Sequence, residues 1–144
     1  MSVLSKSSAY GLRAAMYVAA QKGTGYVSIG SMAEELDISF HFLTKILQKL
    51  TRAAILRSSR GPAGGVMLAR AAKDISVLDI VEAIEGPEFM KACVLGLSGC
   101  GDKRPCPMHK AWTKERSRIR ALFARTPLST LTGKLLKLEL RIAG

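Results

Sequence analysis

The sequence predicts a mainly α-helical chain with one small β-hairpin. Apolar residues recur at i, i+3, i+4 and i+7 in several separate segments, as a helix facing a core requires. A Gly/Pro-rich tip, Gly61-Pro62-Ala63-Gly64-Gly65, stands between two short apolar runs, as in a tight hairpin. A last long helical stretch follows a loop that Gly and Pro keep irregular.

Residues 8–22 carry Leu12, Ala15, Met16 and Ala19 on one stripe and read as the first helix, stopped by Gly23-Thr24-Gly25. Tyr26-Val27 reads as a brief extended segment. Ser28 is a fair N-cap for a short helix with Ile29, Met32, Ala33 and Leu36 turned inward. Asp37-Ile38-Ser39 is a tight break, and Ser39 can cap a third helix whose Leu43, Ile46, Leu47 and Leu50 face a core. Residues 54–58 and 66–68 are the two hairpin strands. Ser76, with Asp79 three residues on, opens a fourth helix as a capping box; Val77, Ile80, Val81 and Ile84 form its apolar face and Gly86-Pro87 ends it. Residues 92–107 hold Gly96, Gly99, Gly101, Pro105 and Pro107 and no regular element is expected there. A final helix runs from about Met108 to Arg125, with Ala111, Trp112, Ile119, Leu122 and Phe123 offering an apolar surface. Thr126-Pro127 ends it, and 128–140 is a basic, leucine-rich tail.

Helix, helix, then a hairpin with a Gly-rich tip is the order of a winged helix-turn-helix. The chain accordingly divides into a winged unit at 1–88, a cysteine-rich loop at 89–107, and a dimerisation helix with its tail at 108–144. The 144 residues carry 22 Lys+Arg against 11 Asp+Glu, a net charge of +11. Such a surplus points to a polyanion, because each cation that neutralises a phosphate releases counterions. Seven of the surplus charges fall within residues 1–73. Hydrophobic residues make up 48 %, enough for a packed core. Three cysteines cannot all pair within one chain, so a reduced, cytoplasmic setting is expected. No signal peptide or membrane span is read in the sequence.

A helix that reads DNA must bury one stripe and offer donors and positive charge on the other. Residues 39–52 meet both demands. Lys45, Lys49 and Arg52 suit phosphates, while His41, Thr44 and Gln48 have the reach to touch base edges. The hairpin adds Arg57 and Arg60, and Arg60 beside the turn is the candidate for a narrow minor groove, whose focused potential attracts arginine. Ser39 and Gly64 complete the expected DNA-contacting set. No nucleophile–base pair and no carboxylate cluster is present, so an enzyme is not expected. Aromatic platforms for stacking single-stranded RNA are lacking too.

Cys93, Cys100 and Cys106 are spaced C-x6-C-x5-C, and His109 follows as C-x2-H. A zinc knuckle more often uses C-x2-C, whereas wider spacing suits the larger iron–sulfur cluster. Three Cys and one His would ligate a 2Fe–2S cluster fully. Zinc and metal-free thiols remain alternatives at this point.

Four stretches carry a family resemblance: Tyr10-Gly11-Leu12-Arg13-Ala14, Ser39 through Leu50, Ser59-Arg60-Gly61-Pro62-Ala63-Gly64-Gly65, and Asp79-Ile80-Val81-Glu82-Ala83-Ile84-Glu85-Gly86. From about Leu4 to Phe123 the chain resembles the Rrf-type bacterial transcriptional regulators. The resemblance implies a homodimer whose long helix after the cysteine loop packs on its partner. It implies a partly palindromic double-stranded operator, with 39–52 in the major groove and Arg60 in the minor groove. Cluster-bearing members place cysteines where Cys93, Cys100 and Cys106 stand, and one type takes its fourth ligand from a histidine placed like His109. The first cysteine gap is one residue longer here than in that type. Other members use a carboxylate from the first helix, where this chain has Ala9 between Ser8 and Tyr10. A 2Fe–2S cluster with His109 is therefore favoured, and a 4Fe–4S cluster with an outside ligand stays open. Some members carry Glu where Thr44 stands, so their operator preferences do not transfer. The reading is a repressor that senses redox, nitric oxide or iron–sulfur status. Its rival is a cluster-free regulator controlled by thiol oxidation, zinc or a protein partner.

Overall fold

The computed structural model describes residues 3–21 and 25–132. Helix α1, Lys6–Ala20, starts earlier than its apolar stripe announces. Ser5 caps it by accepting from the Ser8 backbone N–H at 3.1 Å, satisfying one of the orphan donors of the first turn. Lys22, Gly23 and Thr24, expected to carry its end, lie outside the described residues; the described helix closes at Gln21, which is extended. Gly11 sits inside this helix because α1 and a later helix cross there: a Cβ would run into the Ile84 side chain.

Helix α2, Ile29–Leu36, is capped by Ser28 and stopped by Asp37 in the left-handed region at φ 53°. Helix α3, Phe40–Arg52, is capped by Ser39, whose oxygen accepts from Phe42 N–H at 3.2 Å. Leu43, Ile46, Leu47 and Leu50 are all buried, as their spacing predicts. At about 1.5–3 kcal/mol for each large apolar side chain, this stripe fixes the rotation of α3 and so decides which residues face outward.

Strands β1, Leu56–Ser59, and β2, Gly65–Leu68, pair antiparallel from Leu56↔Leu68 to Ser59↔Gly65. The first strand begins later than the sequence suggests because Ala54 (φ 58°) and Ile55 finish α3 instead, Ile55 N–H bonding the Leu50 carbonyl at 3.0 Å. Val27 adds a bridge to Val66 on the far side of β2, so the brief extended segment is real. Gly65 is obligatory: its φ is 147°, and a Cβ would strike the Val27 carbonyl.

A 3-10 turn, Ala72–Asp74, which the sequence pattern did not announce, leads into α4, Val77–Glu85. The capping box is reciprocal: Asp79 N–H to Ser76 Oγ is 3.0 Å and Ser76 N–H to Asp79 Oδ2 is 2.9 Å. Helix α5, His109–Ala124, packs on α4 and has no buried residue. After α5 the chain turns back. Val77 N–H bonds the Thr126 carbonyl, Leu128 N–H bonds the Ile75 carbonyl at 2.7 Å, and Leu128 enters the main core fully buried. The leucine-rich tail thus starts as a docked helical segment at 128–132; the rest of it, 133–144, lies outside the described residues. Among the described residues, no helix is long and apolar enough to cross a membrane.

Candidate nucleic-acid interface and cysteine centre

Burial of the α3 stripe leaves His41, Lys45, Gln48 and Arg52 exposed on one side, with Thr44 half-buried beside them. Thr44 Oγ1 donates back to the Phe40 carbonyl at 2.8 Å. The hairpin lies next to this face. Between them runs an open groove of about 410 Å³, bounded by Thr44, Gln48 and Arg52 on one wall and Ser58, Ser59 and Arg60 on the other. Arg57 is exposed and donates to the Ala69 carbonyl at 3.3 Å, while Arg60 projects from the start of the turn, also exposed. Gly64 is there for room: a Cβ would collide with the Ser59 and Arg60 backbone and open the tip. Two residues of the expected set stand differently from the rest. Ser39 serves as the α3 cap. Lys49 reaches sideways, its Nζ 3.5 Å from the Ile84 carbonyl at the end of α4. Phe40, which periodicity passes over, is 58 % exposed at the first turn of α3. Its signal was the apolar residue at a position outside the core stripe.

The cysteine loop brings its three thiols together. The three Sγ atoms lie within 4.8 Å of one another, and none is in a disulfide. Cys93 and Cys106 are 3.6 Å apart, and Cys100 Sγ is 3.6 Å from His109 Nδ1. A tetrahedral ion with sulfur at about 2.3 Å and imidazole nitrogen at about 2.0–2.1 Å sets S···S near 3.8 Å and S···N near 3.5 Å. Cys93–Cys106 and Cys100–His109 are thus each spaced as two ligands of one metal, and the three thiols together lie within 4.8 Å of one another. Three soft thiolates and an imidazole are the donor chemistry for iron–sulfur or zinc. The residues present fit such a group.

Electrostatics distinguish the thiols. Hydrogen bonding from the Leu97 backbone, reinforced by Leu95 and the neighbouring sulfurs against the opposing effect of burial, brings Cys93 down to about 7. Cys100 is moved up: the Cys106 backbone favours its thiolate, but burial and the two adjacent thiols outweigh that. Clustered thiols cannot all ionise without a cation among them.

One face of α5 ties this loop down. Trp112 Nε1 donates to the Ala92 carbonyl at 2.9 Å, Arg116 to the Lys91 and Ala92 carbonyls, and Arg120 to the Phe89 carbonyl at 2.7 Å. Arg120 also pairs with Glu82 of α4 at 2.7 Å. The i, i+4, i+8 spacing of Trp112, Arg116 and Arg120 was the available signal, but a pattern of polarity reads such a row as solvated.

Helix-turn-helix, wing and long C-terminal helix define a winged-helix regulator of transcription. Residues 4–134 match the Rrf2 family, described as iron-dependent transcriptional regulators, and the chain belongs to that family. Among its relatives, the helix-turn-helix regulator IscR of Cereibacter sphaeroides is 32 % identical over 116 residues, 79 % of this chain and 75 % of that one. CymR, the global cysteine regulator of B. subtilis, superposes with a TM-score of 0.76 at 26 % identity, covering 93 % of this chain and 98 % of its own. IscR of T. potens gives 0.75 at 26 % identity, covering 95 % and 90 %. These relatives regulate transcription and are not enzymes.

Proposed function

We propose that this protein is a cytoplasmic homodimeric repressor whose affinity for a partly palindromic DNA operator is set by an iron–sulfur cluster on Cys93, Cys100, Cys106 and His109. The single observation that carries the cluster is the convergence of the three thiols within 4.8 Å of one another, with His109 Nδ1 3.6 Å from Cys100 Sγ. The resemblance to regulators with a histidine placed like His109 favours 2Fe–2S; a 4Fe–4S cluster would need a ligand from elsewhere. When bound, the cluster supplies reversible electron transfer and sensitivity to oxidants and nitric oxide.

The chain's own residues do the rest. His41, Thr44, Lys45, Gln48 and Arg52 face the major groove, and Arg57 and Arg60 approach the backbone and minor groove. Leu122, 47 % exposed on a helix with no buried residue, and Met108, 45 % exposed at its N-cap, fit a second copy of α5. That copy would place two recognition helices about 34 Å apart, one turn of DNA. Segment 89–107 acts as the sensor. A change there reaches the DNA face through Trp112, Arg116 and Arg120 to α4, and from the α4 end to Lys49 on α3.

Anaerobic purification with iron and sulfide assays tests this. About two irons and two sulfides per chain support it. Four of each would retain the sensor and move the fourth ligand. A protein that stays colourless after reconstitution overturns the cluster and favours the second reading, control by thiol oxidation, for which the 3.6 Å approach of the free Cys93 and Cys106 thiols is the specific observation.

A further inference from the structure

We propose that Asp102 is a positioning residue for His109, holding the ring so that Nδ1 faces Cys100 at the edge of the thiol cluster. The proposal rests on the cluster reading above and assigns a role to a side chain outside the four-ligand set.

His109 Nε2 lies 2.9 Å from Asp102 Oδ1, while its Nδ1 lies 3.6 Å from Cys100 Sγ on the opposite side of the ring. A carboxylate accepts hydrogen bonds and a neutral imidazole has one N–H to give. The contact therefore places that N–H on Nε2 and leaves the Nδ1 lone pair pointing at Cys100 Sγ. The backbone of His109 is already fixed, its N–H bonded to the Cys106 carbonyl at 3.0 Å at the first residue of α5. Rotation of the ring is the freedom that remains, and Asp102 removes it.

The loop is shaped to deliver Asp102 there. Gly101 and Arg104 exchange backbone hydrogen bonds at 3.3 and 3.1 Å, closing a turn with Asp102 on its crest. Packing does not explain its position: the Asp102 side chain is 99 % exposed, whereas the histidine side chain is 14 % exposed. A contact so open to water adds little to stability. Orientation of a metal-binding histidine by a carboxylate, by contrast, changes metal affinity 10–100-fold. Water competes at this exposed site, so the lower end of that range applies, about tenfold.

Asp102→Asn and Asp102→Ala separate the possibilities, because the amide oxygen of Asn still accepts from Nε2 and Ala offers nothing. Two readouts are used. In the metal-free full-length protein, nitrogen NMR of the histidine rings reports which nitrogen carries the proton; with His41 and His109 the only histidines, assignment is direct. Wild type and Asn should show Nε2–H for His109, and Ala a mixture of both forms. In protein reconstituted anaerobically with ferrous iron and sulfide, bleaching of the visible absorbance by excess EDTA should run about tenfold faster for Ala than for wild type, with Asn close to wild type. Unchanged melting of the metal-free variants excludes a folding effect. Ala indistinguishable from wild type in both readouts, or Asn as impaired as Ala, overturns the role of Asp102. Wild type that takes up no iron and sulfide overturns the cluster instead, and the NMR comparison then still decides the positioning role.

Discussion

Lys49 of α3 extends to the last turn of α4, with Nζ 3.5 Å from the Ile84 carbonyl. That carbonyl is among the unpaired acceptors at a helix C-terminus, where the dipole favours a cation. Lys45, one residue before the buried Ile46, has no such commitment and is exposed. The two lysines should therefore separate. Lys45→Ala should lower affinity on all sequences alike and flatten the salt dependence of DNA binding by about one unit of slope. Lys49→Ala should cost about 0.5–1 kcal/mol of stability with a smaller change in slope. Anisotropy titrations over a salt series, alongside thermal melts, read both.

Arg60 carries the wing. Arg60→Ala should weaken operator binding and relax the preference for AT-rich edges, where the narrow minor groove concentrates negative potential. Affinity unchanged by this substitution would remove the wing from the interface. Gly64→Ala tests the scaffold separately: a Cβ cannot fit against the Ser59 and Arg60 backbone, so it should weaken binding through a distorted tip.

Arg120 joins three parts of the chain, the Phe89 carbonyl before the cysteine loop, Glu82 on α4, and its own helix. Both ion-pair partners are less than a third exposed, at 27 % and 31 %. Arg120→Met should cost about 1–3 kcal/mol, seen as a lower Tm. It should also narrow the difference in DNA affinity between cluster-loaded and metal-free protein while leaving metal-free affinity in place.

Cys93 and Cys100 should differ in reactivity in metal-free protein. A depressed thiol is ionised above its own value, so the Cys93 thiolate is present above about pH 7 and lost as pH falls through it. Alkylation at Cys93 should reach half its plateau rate near pH 7. Cys100, shifted upward, should lag at every pH in that range. Mass spectrometry of partly alkylated protein distinguishes the sites.

Much of this arrangement is written locally in the chain. The α3 stripe, its Ser39 cap, the Ser76–Asp79 capping box and the Gly-rich tip each depend on neighbours a few residues apart, so spacing reveals them. The convergence of Cys93, Cys100, Cys106 and His109 was legible for the same reason, all four lying within one short loop and the first turn of α5. Other features were not. Ser8 is buried with its hydroxyl donating to Glu85 at 2.7 Å, a contact across 77 residues that no local pattern announces. The sideways turn of Lys49 and the return of Leu128 into the core likewise depend on contacts distant in sequence. Trp112 reads as apolar surface by composition, yet its indole N–H holds the Ala92 carbonyl, and only the fold supplies that partner. Asp102 is one carboxylate among charged neighbours until the turn at 101–104 brings it to the histidine.

The most direct test of the account compares one protein in two states on one duplex. An operator is first selected from random double-stranded DNA with the anaerobically purified protein. Its affinity is then measured by anisotropy, at fixed salt, for cluster-loaded protein and for the same sample after removal of iron. The account predicts that the two affinities differ by at least about tenfold, roughly 1.4 kcal/mol, and that substituting Cys106 abolishes the difference. Equal affinities in the two states would contradict it.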